Sequence, residues 1–392
     1  MLENPREAVP VPSVQEPFAS LLGARLQQIV QAALGEPDAA LDAWDAAPLK
    51  GRLDALSAAR SVFLFRGAAR VGAAERPWSV VLKVLAAVPG QDDPALTDYW
   101  YRERLLYDSG VLNALPAGLQ APRCYGCDEV DRGVVWLWLE YVHDDRVRPW
   151  TPEHWALVAR KLGQFNGAYL AGSPLPQAPS LGGLRLHTWL DRHRPLVAQI
   201  AAAPQNPAVR RWWPQPVVAA ILQLWEERDI FCAALERLPQ TFCHGDAIPR
   251  NLLTRREADG STELVAIDWE YAGYYAVGEE IGQTLSVAAA FFDVEPADLP
   301  AFDEALFASY LHGLHDAGWH GGSHQVRFAY AAHAALRNAF NAVGARIPSD
   351  AGRAAALQTY GRTWEELAER RAVLRPFLLD RATEARRLLD TL

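Results

Sequence analysis

The chain has 392 residues, 50% of them hydrophobic and 22% charged, with a net charge of −9. That length allows two lobes with cores of their own, and the balance is that of a globular protein rather than a disordered chain. The acidic sign argues against generic binding to nucleic acid or to an anionic membrane, while a local basic cleft for phosphate stays compatible with it.

Residues 1–16 are Pro-rich and read as an extended or disordered lead without an apolar signal core. No run reaches the roughly 18 apolar residues of a membrane span, so the cytoplasm is the expected compartment. Over 18–34, Phe18, Leu22, Leu26, Ile29, Val30 and Ala33 recur at helical spacing and predict an amphipathic helix. "PLKGRLDALSAAR" (48–60) reads as a strand followed by a loop. "SVFLFRG" (61–67) and "PWSVVLKVL" (77–85) read as strands joined by a Gly-containing hairpin connection. "TDYWYRERLLYDSG" (97–110) predicts a helix that stops at Gly110, and "GVVWLWLEYV" (133–142) a strand rich in β-branched and aromatic residues.

Cys124 and Cys127 form one CxxC within "APRCYGCDEV". A zinc site needs a second ligand pair, and Cys232 and Cys243 are not spaced as one. A redox CxxC usually opens a helix, whereas Pro122 and Gly126 suggest a turn here. The plain reading is two small residues at a strand end. Four Cys in a chain of this size do not make a disulfide scaffold.

After Asp145 the character changes. Thr151 is a candidate N-cap, with Pro152 at the first helical position and Glu153 in the first turn. Helical patterns continue over 216–237, 304–318, 324–343 and from 351 to the C-terminus, with a helix end and linker in "VAQIAAAPQNPAV". Between them, "FCHGDAIPRNLLTRREADGSTELVAIDWE" reads as strand, polar loop, strand, turn at Asp259-Gly260, and strand. The expectation is an α+β chain of two lobes: a β-rich N-terminal lobe over 1–142 and a mainly helical C-terminal lobe over 143–392.

The polar loop carries chemistry. In "HGDAIPRN", Asp246 precedes Asn251 by five residues. The Asp can accept a proton or orient a hydroxyl, and the Asn oxygen is a neutral ligand suited to Mg²⁺. Asp268, at the end of the apolar strand "LVAIDWE", would close the metal site. A metal held by Asn and Asp beside an Asp base is the apparatus of phosphoryl transfer, which also needs a cation on the phosphates. Lys83 lies inside "SVVLKVLAAV", where burial demands a partner, and Glu103 in the next predicted helix supplies one.

The order of these elements resembles the protein-kinase-like fold. "HGDAIPRN" matches the HGDxxxxN signature of the aminoglycoside phosphotransferase and choline kinase branch, "IDWE" matches that branch's I-D-[WFY]-[ED] metal segment, and "VLKV" looks like its ATP-lysine strand. The resemblance covers about residues 48–343. It implies that Asp246 is the catalytic base, that Asn251 and Asp268 hold Mg²⁺, and that Lys83, paired with Glu103, meets the α- and β-phosphates. It implies a hinge over 140–142, where the backbone of Glu140 and Val142 would meet adenine. His244 would pack beneath the loop. One departure stands out: the loop expected to cover the phosphates, "GRLDALSAARS", has only Gly51 with Ser57 and Ser61, so it would cover ATP loosely. Arg250 either reaches a phosphate or is solvated.

The function implied is a small-molecule kinase that moves the γ-phosphate of ATP or GTP to a hydroxyl of an aminoglycoside, amino alcohol or sugar. The alternative is a non-catalytic nucleotide-binding protein of the same fold, which would keep Lys83 and lose the base or a metal ligand. A metal-dependent phosphohydrolase would need further ligands, and His312, His315, His320 and His324 form no such set. The segment after Asp268 mixes Trp269, Tyr271, Tyr274 and Tyr275 with Glu270, Glu279 and Glu280, which hints at an acidic, aromatic acceptor rim. Trp189, Trp212, Trp213 and Trp319 are further candidates for its wall.

Overall fold

A computed structural model describes residues 19–49, 60–145, 149–178, 181 and 185–392. The Pro-rich lead and residues 51–59 of the expected phosphate loop lie outside the described residues. The chain divides into two compact units, one of residues 1–113 with 121–143 and one of 114–120 with 144–392.

The first unit opens with α1 (Ala19–Leu34), followed by β1 (Ala40–Pro48), β2 (Arg60–Val71), β3 (Ala74–Ala86), α2 (Arg102–Asp108), β4 (Cys124–Asp131) and β5 (Val134–Glu140). The strands form one antiparallel sheet in the order β1-β2-β3-β5-β4. The period of two along β3 decides its role. Trp78, Val80, Leu82 and Val84 point to one face, where they pack with Leu22, Leu26, Ile29 and Val30 of α1. Burial of each such side chain contributes about 1.5–3 kcal/mol. Lys83 therefore points to the other face, opposite Val62 of β2 and Leu137 of β5.

Several elements differ from the sequence reading. The first strand lies earlier than expected and reaches only Pro48 of "PLKG". Helix α2 is shorter than the pattern over 97–110: the buried Arg102 guanidinium donates to the carbonyls of Thr97 and Leu96, which holds that approach as turns rather than helix. Cys124 and Cys127 sit on β4, not in a turn.

The second unit contains α3 (Pro152–Leu170), α4 (Arg185–Ala202), α5 (Gln215–Arg237), β6 (Gln240–Cys243), β7 (Leu252–Arg256), β8 (Thr262–Ala266), β9 (Gly273–Ala276), α6 (Glu279–Ala290), α7 (Leu299–Asp316), α8 (Ser323–Asn338), α9 (Asp350–Tyr360) and α10 (Trp364–Leu389). Thr151 caps α3 by accepting from His154 N–H at 3.4 Å. The expected C-terminal helix is two: Gly361 at φ +63° ends α9, and Thr363 with Glu366 forms the capping box that starts α10. Two small two-stranded sheets lie among the helices, β6 with β9 and the hairpin β7 with β8. No helix among the described residues is long and apolar enough to cross a membrane.

Candidate functional site

In the first unit, Lys83 and Glu103 are both buried, and Lys83 Nζ donates to Glu103 Oε2 at 2.5 Å. The register of β3 supplies the lysine and α2 supplies the carboxylate. Removing either partner would take this ion pair from the other buried charge. Glu140 and Val142 lie at and just past the end of β5. Glu140 exchanges backbone and side-chain contacts with Arg123: its N–H donates to Arg123 O at 2.8 Å, and its Oε2 accepts from Arg123 N–H at 3.1 Å.

In the second unit, strand pairing builds the loop. Residues 244–251 join β6 to β7, and β7 pairs with β8 so that Leu252 faces Ala266. The next rung is a bond from Ile267 N–H to Asn251 O at 2.9 Å. Asp268 is thus one residue past the partner of Asn251, and the two side chains belong to one end of the hairpin. Asp268 adopts φ 68°, ψ 64°, a left-handed conformation uncommon for a residue with a side chain. The chain then returns through β9, which pairs with β6 and so closes the Asp268 turn against the loop.

His244 fixes the loop from below. Its Nε2 is 3.0 Å from Ile267 O, and Asp246 N–H donates to its Nδ1 at 3.2 Å. A carbonyl only accepts and an amide N–H only donates, so the ring is the neutral tautomer protonated at Nε2. Gly245 follows at φ +75°, and a Cβ there would lie 2.1 Å from Tyr271 O. Only glycine fits that turn.

Asp246 is 6% exposed. Asn251 Nδ2 donates to Asp246 Oδ2 at 2.9 Å and to Asp246 O at 3.0 Å, and Gln283 Nε2 of α6 donates to Oδ1 at 2.8 Å. Arg250 stands 4.0 Å from Oδ2, its guanidinium over the Phe291 ring. Among the described residues no three His, Cys, Asp or Glu gather as a metal-holding group. A cation here would rest on the carboxamide oxygen of Asn251 with the Asp268 carboxylate.

A profile of the phosphotransferase enzyme family matches residues 70–324, most of the chain and all of the loops just described. The chain belongs to the phosphotransferase enzyme family. It is an enzyme that transfers phosphate to an alcohol group of a small molecule. No curated protein matches it. Similar solved structures include an amicoumacin kinase in complex with AMP-PNP and Ca²⁺, at 12% identity over 83% of this chain and 88% of that one, TM-score 0.48. A spectinomycin phosphotransferase in complex with ADP and spectinomycin is 12% identical over 91% and 98%, TM-score 0.48. An ethanolamine kinase of Plasmodium vivax is 11% identical over 86% and 84%, TM-score 0.45. At these values the assignment rests on the family match.

The phosphotransferase holds its loop from a helix that the sequence reading used differently. Glu279 and Glu280 do not form an acidic acceptor rim; both are buried. Glu280 Oε1 accepts from Gly245 N–H at 2.9 Å, and Oε2 accepts from Asn166 Nδ2 at 3.0 Å. Burial pushes the Glu280 carboxyl up to about 7, against the pull of those donors. Glu279 Oε1 accepts from Ala276 N–H at 2.9 Å, and its Oε2 is 3.0 Å from His333 Nδ1. Thr284 Oγ1 donates to Ala247 O at 2.6 Å. Trp212 and Trp213 belong to the helical core, and Trp189 donates to Arg337 O at 2.6 Å. Gln283 and Thr284 are the residues that sequence reasoning missed, and Glu280 is the one whose role it misplaced. The available signal was their spacing: polar side chains at i, i+3 and i+4 form one stripe along "EEIGQTLSVAAA", a helix buried throughout.

Proposed function

We propose that the chain is an ATP- or GTP-dependent kinase of a small hydroxylated molecule with amine or sugar character, such as an amino alcohol, aminoglycoside or sugar. The observation that carries this reading is the Asp246 carboxylate, buried and oriented by two carboxamides at the hairpin end that also bears Asp268. Asp246 acts as the base that orients the acceptor hydroxyl and takes its proton as phosphate is transferred. Lys83, held by Glu103, meets the α- and β-phosphates. The backbone at Glu140 and Val142 meets the base of the nucleotide. The unit that carries these four residues is the nucleotide lobe, and the second unit is the catalytic and acceptor lobe.

Asn251 and Asp268 suit a Mg²⁺ ion. With its amide protons on Asp246, Asn251 has its Oδ1 as the donor left to face a cation, and a neutral oxygen beside a carboxylate is the hard donor set that Mg²⁺ takes. When bound, the ion would neutralise charge on the phosphates.

The acceptor class draws support from the segment after Asp268. It runs through β9 into α6 at Glu279, too short to offer a peptide platform. With Glu279 and Glu280 buried, the support for a cationic acceptor narrows to the Tyr271 and Tyr274 side of the segment. Nucleotide-consumption assays over amino alcohols, aminoglycosides and plain sugars test the reading, with ATP and GTP in parallel and Mg²⁺ titrated. One acceptor class should raise consumption well above the acceptor-free background. Efficient phosphorylation of a protein with no response to any small hydroxyl compound overturns it.

A further inference from the structure

Strand β4 carries two thiols that phosphoryl transfer does not use. Cys124 and Cys127 are three residues apart, a spacing that puts side chains on opposite faces of a regular strand. The pairing of β4 with β5 is irregular at this point: Cys124 faces Leu139, Gly126 faces Trp138 and Cys127 faces Leu137, so Tyr125 is the extra residue of a bulge. Leu139 and Leu137 share a face of β5, and the bulge therefore turns both thiols to one face. The two sulfurs are 3.4 Å apart. Gly126 permits the bend, because a Cβ there would lie 2.4 Å from the Arg25 guanidinium and 2.8 Å from Ile29 Cδ1 on α1.

That face is the one that bears Lys83. Cys127 is opposite Leu137, and Leu137 is opposite Lys83, so the three form one row across β4, β5 and β3. Two strand spacings, about 10 Å, separate Cys127 from Lys83. Consecutive residues of α2 reach both ends of the row: Glu103 accepts from Lys83, and the Arg104 guanidinium lies beside Cys127 while bonding Asp108. The two thiols are not equivalent. The hydrogen bond between the two sulfurs draws the Cys124 thiol below its ordinary value despite burial, and the same bond with burial pushes Cys127 up.

We propose that Cys124 and Cys127 are an oxidation site, closed to a disulfide by a hydroperoxide, and that closure loosens α2 and its hold on Lys83. The Cys124 thiolate attacks the peroxide: an S–O bond forms, the O–O bond breaks, and the departing oxygen leaves as water after taking a proton. The Cys127 sulfur then attacks the sulfenic acid: the S–S bond forms, the S–O bond breaks, and the hydroxyl leaves as water with the Cys127 proton. Two thiols and one hydrogen peroxide give one disulfide and two waters. Same-face neighbours on a strand are about 6.6 Å apart at Cα, near the long end of the ~4.4–6.8 Å that disulfides span. The bridge therefore pulls the bulge inward and takes the Cys127 sulfur from Arg104.

The effect on turnover rests on the assignment of Lys83 to the nucleotide; the oxidation itself does not. The experiment treats the full chain with hydrogen peroxide, then maps thiols by alkylation and peptide mass, with hydrogen exchange on the same sample. The peptide holding both cysteines is expected to be lighter by two hydrogens and closed to alkylation until dithiothreitol reopens it. Amides of Arg102–Asp108 are expected to exchange faster in the oxidised chain. Cys127→Ser should stop at a sulfenic acid on Cys124 that dimedone captures. Turnover of the oxidised chain should fall several-fold and return with dithiothreitol, while the Cys124→Ser/Cys127→Ser double variant turns over normally and ignores peroxide. Two thiols that stay open to alkylation after peroxide overturn the site, and a disulfide that leaves exchange in α2 unchanged overturns the coupling. Faster exchange in α2 without loss of turnover counts instead against the nucleotide role of Lys83.

Discussion

The two units hold their buried charges by different means. In the sheet unit, Lys83 bonds the carboxylate of Glu103, in an ion pair that both strand register and helix placement must deliver. In the helical unit, the Asp246 carboxylate accepts from two carboxamides, with Arg250 at 4.0 Å. The difference follows from the roles proposed. A lysine that waits for phosphate needs a partner that keeps it charged and buried. A base needs orientation, and neutral amide donors supply it without cancelling the charge.

The largest expected effect breaks the second arrangement at its centre. Asp246→Asn keeps size and shape and removes the proton acceptor. Turnover should fall by about 10²-fold or more, the scale of a lost general base, with nucleotide affinity close to that of the parent. Turnover within a few-fold of the parent would remove Asp246 from the chemistry.

Breaking the first arrangement should have a mixed result. Lys83→Ala removes the cation that the buried Glu103 bonds, which should cost about 3–5 kcal/mol of stability, and it should weaken nucleotide binding and turnover together. Lys83→Met with Glu103→Leu separates the two consequences. The apolar pair should regain most of the lost stability in thermal unfolding and none of the turnover. A double variant that recovers turnover would show that the pair serves folding alone.

The contrast also explains what was legible in the sequence. Lys83 was readable because a charge inside "SVVLKVL" conflicts with its apolar neighbours, and a conflict of that kind is local. The two-lobe α+β plan and the phosphotransferase family were readable from strand and helix periods together with the HGDxxxxN and IDWE segments. The support of the loop was not. Glu280 reaches Gly245 and Gln283 reaches Asp246 across 35 and 37 residues, and nothing in either segment alone announces the pairing. The same holds for β9, whose partner β6 lies beyond the whole 244–251 loop, and for the bulge that turns Cys127 toward Cys124. Adjacent acidic residues after an aromatic run look like a rim in sequence; tertiary hydrogen bonds make them props.

Glu280 gives a sharper test through pH. Its carboxyl sits at about 7, above the ordinary 4.5, so the folded chain keeps that proton after the unfolded chain has lost it. The associated stability is fully present below about pH 4.5 and is lost as pH rises through about 7, up to about 3 kcal/mol by linkage. Glu280→Gln should flatten this part of the stability profile. It should also lower turnover about tenfold, because a carboxamide can turn a donor toward Gly245 N–H or Asn166 Nδ2, where only an acceptor fits. An unchanged slope in thermal midpoint between pH 5 and 8 would place the titration elsewhere.

The smallest expected effect tests whether the amide cradle positions the base or merely neighbours it. Gln283 donates to Asp246 Oδ1, while Asn251 donates to Oδ2. Gln283→Leu preserves bulk within a fully buried helix and removes one of the two donors. A hydrogen bond to a charged group contributes about 1.5–3 kcal/mol, but only the part that differs between ground and transition state reaches the rate. kcat should therefore fall only several-fold, with the nucleotide KM unchanged. Gln283→Glu distinguishes positioning from packing. At high pH it sets a second carboxylate against Asp246 and should lower kcat further than leucine does. As pH falls and that carboxyl takes a proton, its O–H can donate to Oδ1 as the amide did, and activity should recover relative to the parent. A structural role for Gln283 predicts no such pH-dependent rescue, so equal pH profiles for the glutamate variant and the parent would show that Gln283 does not aim the base.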